Sequence, residues 1–177
     1  TRTGDAQILR AQLAAIRRAR AHIYIEHPYV ADDEIIHELI AARRRGVDVR
    51  VILPTGNDSG LMSSGNLLAA NVFVRNGVRV YGYPGMSHVK AAIFDGWACV
   101  GSANLDKLSL RINQEANLAT SDTHFVDNLR RELFEVAALF PDTTQPVRPQ
   151  VAPVAGQIAS RLAQQPRNRA DAGLDLG

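Results

Sequence analysis

The chain has 177 residues, 46% of them hydrophobic, a formal net charge of +2 and a single cysteine. That length and apolar content suit one domain with a real core rather than two large ones, and the small net charge gives the chain as a whole no electrostatic signature for nucleic acid. With Cys99 alone there is no intrachain disulfide, and no apolar run reaches the roughly 20 residues needed to span a bilayer. Cys99 lies in the apolar run Trp97–Val100 and reads as a packed thiol rather than a reactive one. The chain opens on Thr1 rather than Met, which reads as a processed chain or a piece of a longer protein.

Residues 5–20 carry Ile8, Leu9, Leu13 and Ile16 at helical spacing, with Asp5 placed to cap the helix. His22–Glu26 reads as a short strand that Pro28 limits. Asp32 or Asp33 opens a second helix, with Ile35, Ile36, Leu39 and Ile40 on one face and Gly46 at its close. Val47–Leu53 is a β-branched strand. A polar loop, 57–64, precedes a third helix, Leu67–Asn76, and Val78–Tyr83 is the next strand. Val89–Phe94 and Trp97–Val100 are apolar runs joined by Asp95-Gly96, a hairpin signal. Asn113–Ala119 reads as a last strand and Thr123–Phe140 as a long amphipathic helix with Phe125, Leu129, Leu133, Val136 and Leu139. Alternating strands and helices imply an α/β class: a mixed, mainly parallel sheet flanked by helices, an α-β-α sandwich. Residues 1–140 form that domain. Residues 141–177 read as a Pro-rich linker and a largely disordered tail, with a short helix at 156–165.

The chemistry gathers between positions 88 and 115. Residues two apart in a strand share a face, so His88 and Lys90 belong together, and Val89, Ala91 and Ile93 turn to the core. Ser102 and Asn104 share a face beside Gly101, where backbone can come close to a ligand; Asn113, Glu115 and Asn117 line one side of the last strand. A cation, neutral donors and Gly-Ser backbone N–H groups suit an anion, most simply a phosphate. His88 can attack or move a proton, and Glu115 can orient its other ring nitrogen. Cys and His do not recur at metal-ligand spacing, so no metal and no cofactor is expected. His27 is placed to line the pocket mouth, while His22, His37 and His124 read as surface residues. The arginine clusters Arg17-Arg18-Ala19-Arg20 and Arg43-Arg44-Arg45 read first as helix C-terminal charge and second as a surface for anionic lipid or nucleic acid.

The run His88-x-Lys90-x4-Asp95-x5-Gly101-Ser102-x-Asn104 resembles the HKD motif of the phospholipase D superfamily. Leu105-Asp106, Asn113-x-Glu115-x-Asn117, Ile23–Tyr29 and Arg45–Arg50 are similar to its bacterial cardiolipin synthase and phospholipase D branch. The resemblance implies metal-independent phosphodiester hydrolysis or transphosphatidylation on phospholipids through a phosphohistidine. In it His88 is nucleophile or general acid, and Glu115 orients His88. Lys90, Gly101, Ser102, Asn104 and Asn113 hold the phosphate. Asp95 belongs to the motif and counts among its catalytic residues, but it opens the Asp-Gly turn on the opposite parity to His88, so its own reading is mainly structural.

The reaction needs groups on both sides of phosphorus, and this chain has one HxK. The expected partner is therefore a second HKD half-site, from an N-terminal half or a homodimer mate. A phospholipid substrate and a peripheral membrane surface go with the resemblance. It favours a bacterial cytoplasmic or membrane-peripheral place, with secretion left open. The rival readings are a dimeric nuclease on the same scaffold, for which nucleic acid ranks behind lipid, and a phosphate-binding module with an incomplete site.

Overall fold

In a computed structural model the described residues are 6–55 and 60–135. The elements run α1 (Gln7–Arg18), β1 (His22–Glu26), α2 (Asp33–Arg44), β2 (Asp48–Pro54), α3 (Gly60–Arg75), β3 (Arg79–Tyr83), β4 (Ala91–Phe94), β5 (Trp97–Gly101), α4 (Lys107–Arg111), β6 (Asn117–Thr120) and α5 (Thr123–Arg130), which passes into a π-helical turn, Arg131–Glu135. The Asp5 cap, residue 56, residues 57–59 of the polar loop, the last part of the long helix, the linker and the tail lie outside the described residues.

The six strands form one sheet in the order β3-β2-β1-β4-β5-β6. β1 pairs in parallel with β2, and β2 with β3, while β1–β4, β4–β5 and β5–β6 are antiparallel. β1, β2, β3 and β5 therefore run one way and β4 and β6 the other, so the sheet is mixed with most strands in one direction. α1, α2 and α3 cover one face, where Leu13, Ile16, Leu39 and Phe73 meet Ile23, Ile25, Val49 and Val51. α5 covers the other, where Val126 meets Ile52, Ile93 and Ala98. Burying each large aliphatic side chain stabilises the fold by about 1.5–3 kcal/mol. The α-β-α layering follows from strands that are apolar on both faces: all four residues of β4 are buried.

Local signals act as their chemistry dictates. Asp32 caps α2, its carboxylate accepting the N–H groups of Glu34 at 3.0 Å and Ile35 at 3.2 Å. Asp95-Gly96 makes a two-residue hairpin between Phe94 and Trp97, with Asp95 at a φ of 51°. Four expectations change. The third helix starts at Gly60 rather than Leu67 and takes in the end of the 57–64 loop. The strand after Lys90 starts at Ala91, and Val89 is 38% exposed rather than turned to the core. The last strand starts at Asn117, so Asn113 and Glu115 sit in the approach to it. Between β5 and β6 lies α4, capped by Asp106, whose side chain accepts the Ser109 N–H at 2.8 Å; five residues are too few to show a helical period.

Candidate active site

Strand direction decides where the chemistry gathers. The C-terminal ends of β1, β2, β3 and β5 and the N-terminal ends of β4 and β6 share one edge of the sheet. His88 and Lys90 enter β4 there, Gly101–Asn104 leaves β5 there, and Asn113–Glu115 leads into β6 there. Loops at the carboxyl ends of strands are where open α/β sheets commonly bind ligands.

One rung crosses this edge. The Gly101 N–H donates to the Lys90 carbonyl at 3.2 Å, and Gly101 pairs with Asn117. The next residue locks the loops: the Ser102 N–H donates to the Ala116 carbonyl at 3.0 Å, and the Ser102 hydroxyl accepts the Ala116 N–H at 3.1 Å. That hydroxyl donates to a Glu115 carboxylate oxygen at 2.5 Å. Lys90, Gly101, Ser102 and Glu115 are thus tied into one small region. Lys90 Nζ donates to the His88 carbonyl at 3.1 Å, which folds the ammonium back over the histidine's own backbone. The His88 side chain is exposed, and no hydrogen bond to its imidazole is made among the described residues. Glu115 is therefore seen on Ser102 rather than on His88.

Asn104 is partly buried, and its enclosed Oδ1 has no hydrogen-bond partner among the described residues. The next residue fixes its loop: Leu105 bridges to Val30, its N–H donating to the Tyr29 carbonyl at 3.2 Å and its carbonyl accepting the N–H groups of Ala31 and Asp32 at 2.8 and 2.9 Å. Asn113 is exposed, and its N–H closes α4 on the Leu108 carbonyl at 2.8 Å. Arg111 Nε donates to Asp32 at 3.0 Å, which seats α4 on the N-terminus of α2. At Gly101 an added Cβ would lie 2.1 Å from Asn117 Oδ1 and 2.4 Å from the Ala116 carbonyl oxygen. The glycine is required by the close approach of β6, a backbone neighbour instead of the ligand expected there.

Asp95 does not join this group. It lies at the opposite end of β4, where its carboxylate accepts the N–H groups of Arg20 at 2.8 Å, Ala21 at 2.9 Å and His22 at 2.8 Å. Partial burial works to raise its pKa, but these backbone bonds outweigh it and hold the carboxyl below the usual carboxylate range. The site Asp95 serves is the entry to β1.

Two residues at the end of β1 matter here, of which sequence analysis singles out only His27. His27 is 1% exposed, with Nδ1 unpartnered among the described residues, so it is buried rather than lining a pocket mouth. The antiparallel register of β1 with β4 ends one residue earlier, at Glu26↔Ala91. Burial, then the Lys90 charge, pushes the imidazole down to about 3, and His27 is neutral at physiological pH. Glu26 is 5% exposed and accepts the Ser87 hydroxyl at 2.6 Å. In sequence Glu26 is one more polar step of the strand His22-Ile23-Tyr24-Ile25-Glu26, and its partner lies 61 residues away.

Four of the six clustered arginines are engaged by the protein itself. Arg43 Nε donates to the Gly77 carbonyl at 2.7 Å, Arg44 to Asn76 at 3.0 Å, Arg45 to the Ile16 carbonyl at 2.8 Å, and Arg17 pairs with Glu38 at 2.8 Å. Arg18 and Arg20 are exposed at the end of α1.

Residues 13–136 match the family described as cardiolipin synthase, PLD-like domain. Cardiolipin synthase A from a Pseudomonas putida strain is 39% identical over 126 residues, covering 70% of this chain and 26% of that protein. Cardiolipin synthase B of Escherichia coli K12 is 37% identical over 134 residues, covering 74% of this chain and 32% of that protein. The chain thus spans about a quarter to a third of the length of these relatives. Among solved structures, the phospholipase D family member Nuc from Salmonella typhimurium superposes with a TM-score of 0.68 at 22% identity, over 78% of this chain and 91% of that one. The phosphatidylserine synthase of Haemophilus influenzae gives 0.67 at 11% identity, over 89% of this chain and 42% of that one; both are likenesses of fold. The agreement of the site's edge, the fold and these matches leads to one conclusion: the chain belongs to the cardiolipin synthase-type, phospholipase D-like domain family.

Proposed function

We propose that this chain supplies one half-site of an enzyme that transfers or hydrolyses the phosphodiester of a phospholipid, with His88 as nucleophile or general acid. The observation that carries this reading is the rung on which Lys90, Gly101 and Ser102 meet beside Glu115, with an exposed His88 at its rim. The relatives named cardiolipin synthase support the phospholipid as substrate.

In the first step a His88 ring nitrogen attacks phosphorus and the P–O bond to the leaving alkoxide breaks. That alkoxide takes a proton from an acid on the opposite side of phosphorus, because the attacking and leaving groups are in line. In the second step water or an alcohol attacks the phosphohistidine, gives up a proton to that same group and releases His88. Lys90, the Ser102 hydroxyl and the nearby amides hold the phosphoryl oxygens, where fixed donors are worth most. Glu115, held by Ser102, orients the imidazole once substrate displaces the Ser102 bond. A second HKD half-site, from another segment or a second copy, provides the opposing acid.

The test is turnover of phosphatidylglycerol vesicles, with a chelator present. It uses the chain alone and a chimera in which residues 13–136 replace the matching segment of the Pseudomonas putida relative. Turnover by the chimera that survives chelation and vanishes in a folded His88→Ala chimera is the expected result. Turnover that persists in His88→Ala overturns the assignment.

A further inference from the structure

His88 sits in the segment Pro84–Lys90, which joins β3 to β4 without regular structure. Ser87 is the buried residue of that segment, 6% exposed, and it stands directly before an exposed His88. Its hydroxyl donates to Glu26 Oε1 at 2.6 Å and accepts the Val89 N–H at 3.3 Å. One side-chain oxygen therefore holds the backbone on both sides of His88 and ties it to β1, in the middle of the sheet.

Glu26 is an unusual anchor. It is buried between Ile52 of β2 and Ala91 of β4, and among the described residues it has no cationic partner. Burial raises its carboxyl above the ordinary range, and the Ser87 bond only partly opposes this. A carboxyl group buried there is costly unless it is hydrogen-bonded, and the Ser87 hydroxyl meets that need. His27, the next residue in the chain, is neutral, and the Lys90 charge acts on that imidazole.

We infer that Glu26 is a positioning residue for His88, acting through Ser87: the carboxyl–hydroxyl–amide chain sets the backbone of the histidine against the rung that holds the phosphate. The inference rests on the reading of His88 as the reacting group. It requires no contact between Glu26 and substrate. In-line attack needs the nucleophile held within a fraction of an ångström, and a histidine on an irregular segment needs such a tie.

The experiment is amide hydrogen exchange at Val89 in the 177-residue chain, with Ile93 in β4 as the reference, read beside turnover in the chimera. Glu26→Ala is expected to speed Val89 exchange about ten-fold and to leave Ile93 unchanged. Glu26→Gln, whose amide oxygen still accepts the hydroxyl, stays within about three-fold of wild type on the same argument. Ser87→Ala matches Glu26→Ala, Ser87→Thr recovers wild-type exchange, and the Glu26→Ala/Ser87→Ala double variant is no faster than either single. In the chimera, kcat falls about ten-fold in Glu26→Ala with KM nearly constant, as loss of positioning requires.

Val89 exchange that is unchanged in Glu26→Ala, or effects of the two alanine variants that add, overturns the inference. If Glu26→Ala unfolds, seen as lost protection at Ile93, the Ser87→Ala and Ser87→Thr pair decides by the same criterion. The expected exchange pattern without His88-dependent turnover sinks the proposed activity and leaves the tie standing. Turnover that depends on His88 but is indifferent to Glu26 and Ser87 does the reverse.

Discussion

The Ser102 hydroxyl and a Glu115 carboxylate oxygen lie 2.5 Å apart, so the loop leaving β5 and the approach to β6 are joined through a charge-assisted bond at the centre of the candidate site. The same hydroxyl accepts the Ala116 N–H at 3.1 Å. Ser102 is exposed, so water can serve the partners it releases, and Ser102→Ala is expected to cost about 0.5–1.5 kcal/mol, as measured by urea unfolding. Turnover in the chimera should fall further than that stability loss explains. Wild-type activity in Ser102→Ala would remove Ser102 from the phosphate-holding group.

Asp95→Asn tests the opposite end of β4. Three backbone N–H groups converge on the carboxylate, and the amide can accept through one oxygen only, so unfolding free energy should drop by about 1–3 kcal/mol at neutral pH. The sign with pH follows from a folded pKa below the unfolded one: Asp95 stabilises above the unfolded value near ~3.9, and this is lost as pH falls through the lower folded pKa. Denaturant titrations of the two proteins should therefore converge on acidification below about pH 4. A folded Asp95→Asn chimera with normal kcat confirms the structural role; loss of kcat without loss of stability would return Asp95 to the chemistry.

Gly101→Ala places a Cβ 2.1 Å from Asn117 Oδ1 and 2.6 Å from Asn117 Cα, and backbone cannot yield as a flexible side chain does. β6 must move away. Hydrogen exchange should report faster exchange across the β5–β6 pairing while the β1–β2 pairing keeps its protection. Unchanged β6 protection would show that the approach is looser than the geometry requires.

Cys99 is 4% exposed, and burial raises its thiol pKa, against the smaller influence of its Asn117 and Gln12 contacts. The folded chain should resist a thiol reagent at pH 8 and react fully in denaturant. Rapid labelling of the native chain would contradict the packed position.

What sequence made legible here was local. The helix stripes, the β-branched runs and the Asp95-Gly96 turn each depend on residues a few places apart, and they placed most elements to within two or three residues. Lys90, Gly101, Ser102 and Glu115 fell together because two short connections bring them there. The strand order was not legible, since β1 takes β4 as a neighbour from the far half of the chain. The extension of β6 back to Asn113 failed for a different reason: polar-apolar alternation continues through residues that are held in a turn by the Leu108 carbonyl. Glu26 and Ser87 each look unremarkable alone, and their meaning lies in a bond across 61 residues.

The place of β1 has a consequence for how the chain acquires its shape. β1, β2 and β3 join through local βαβ steps, but the other side of β1 stays bare until β4 arrives from some 70 positions downstream, with Asp95 fastening to residues 20–22 across separations of 73 to 75. Contacts of such long range form slowly, and an unpaired strand edge in the interim invites pairing with other chains. During synthesis the first half must wait, with an open flank carrying Ile23 and Ile25, for the β4–β5 hairpin. Crowding by its own copies is most dangerous at that moment, and the hairpin that completes the edge of the candidate site is also what ends the exposure.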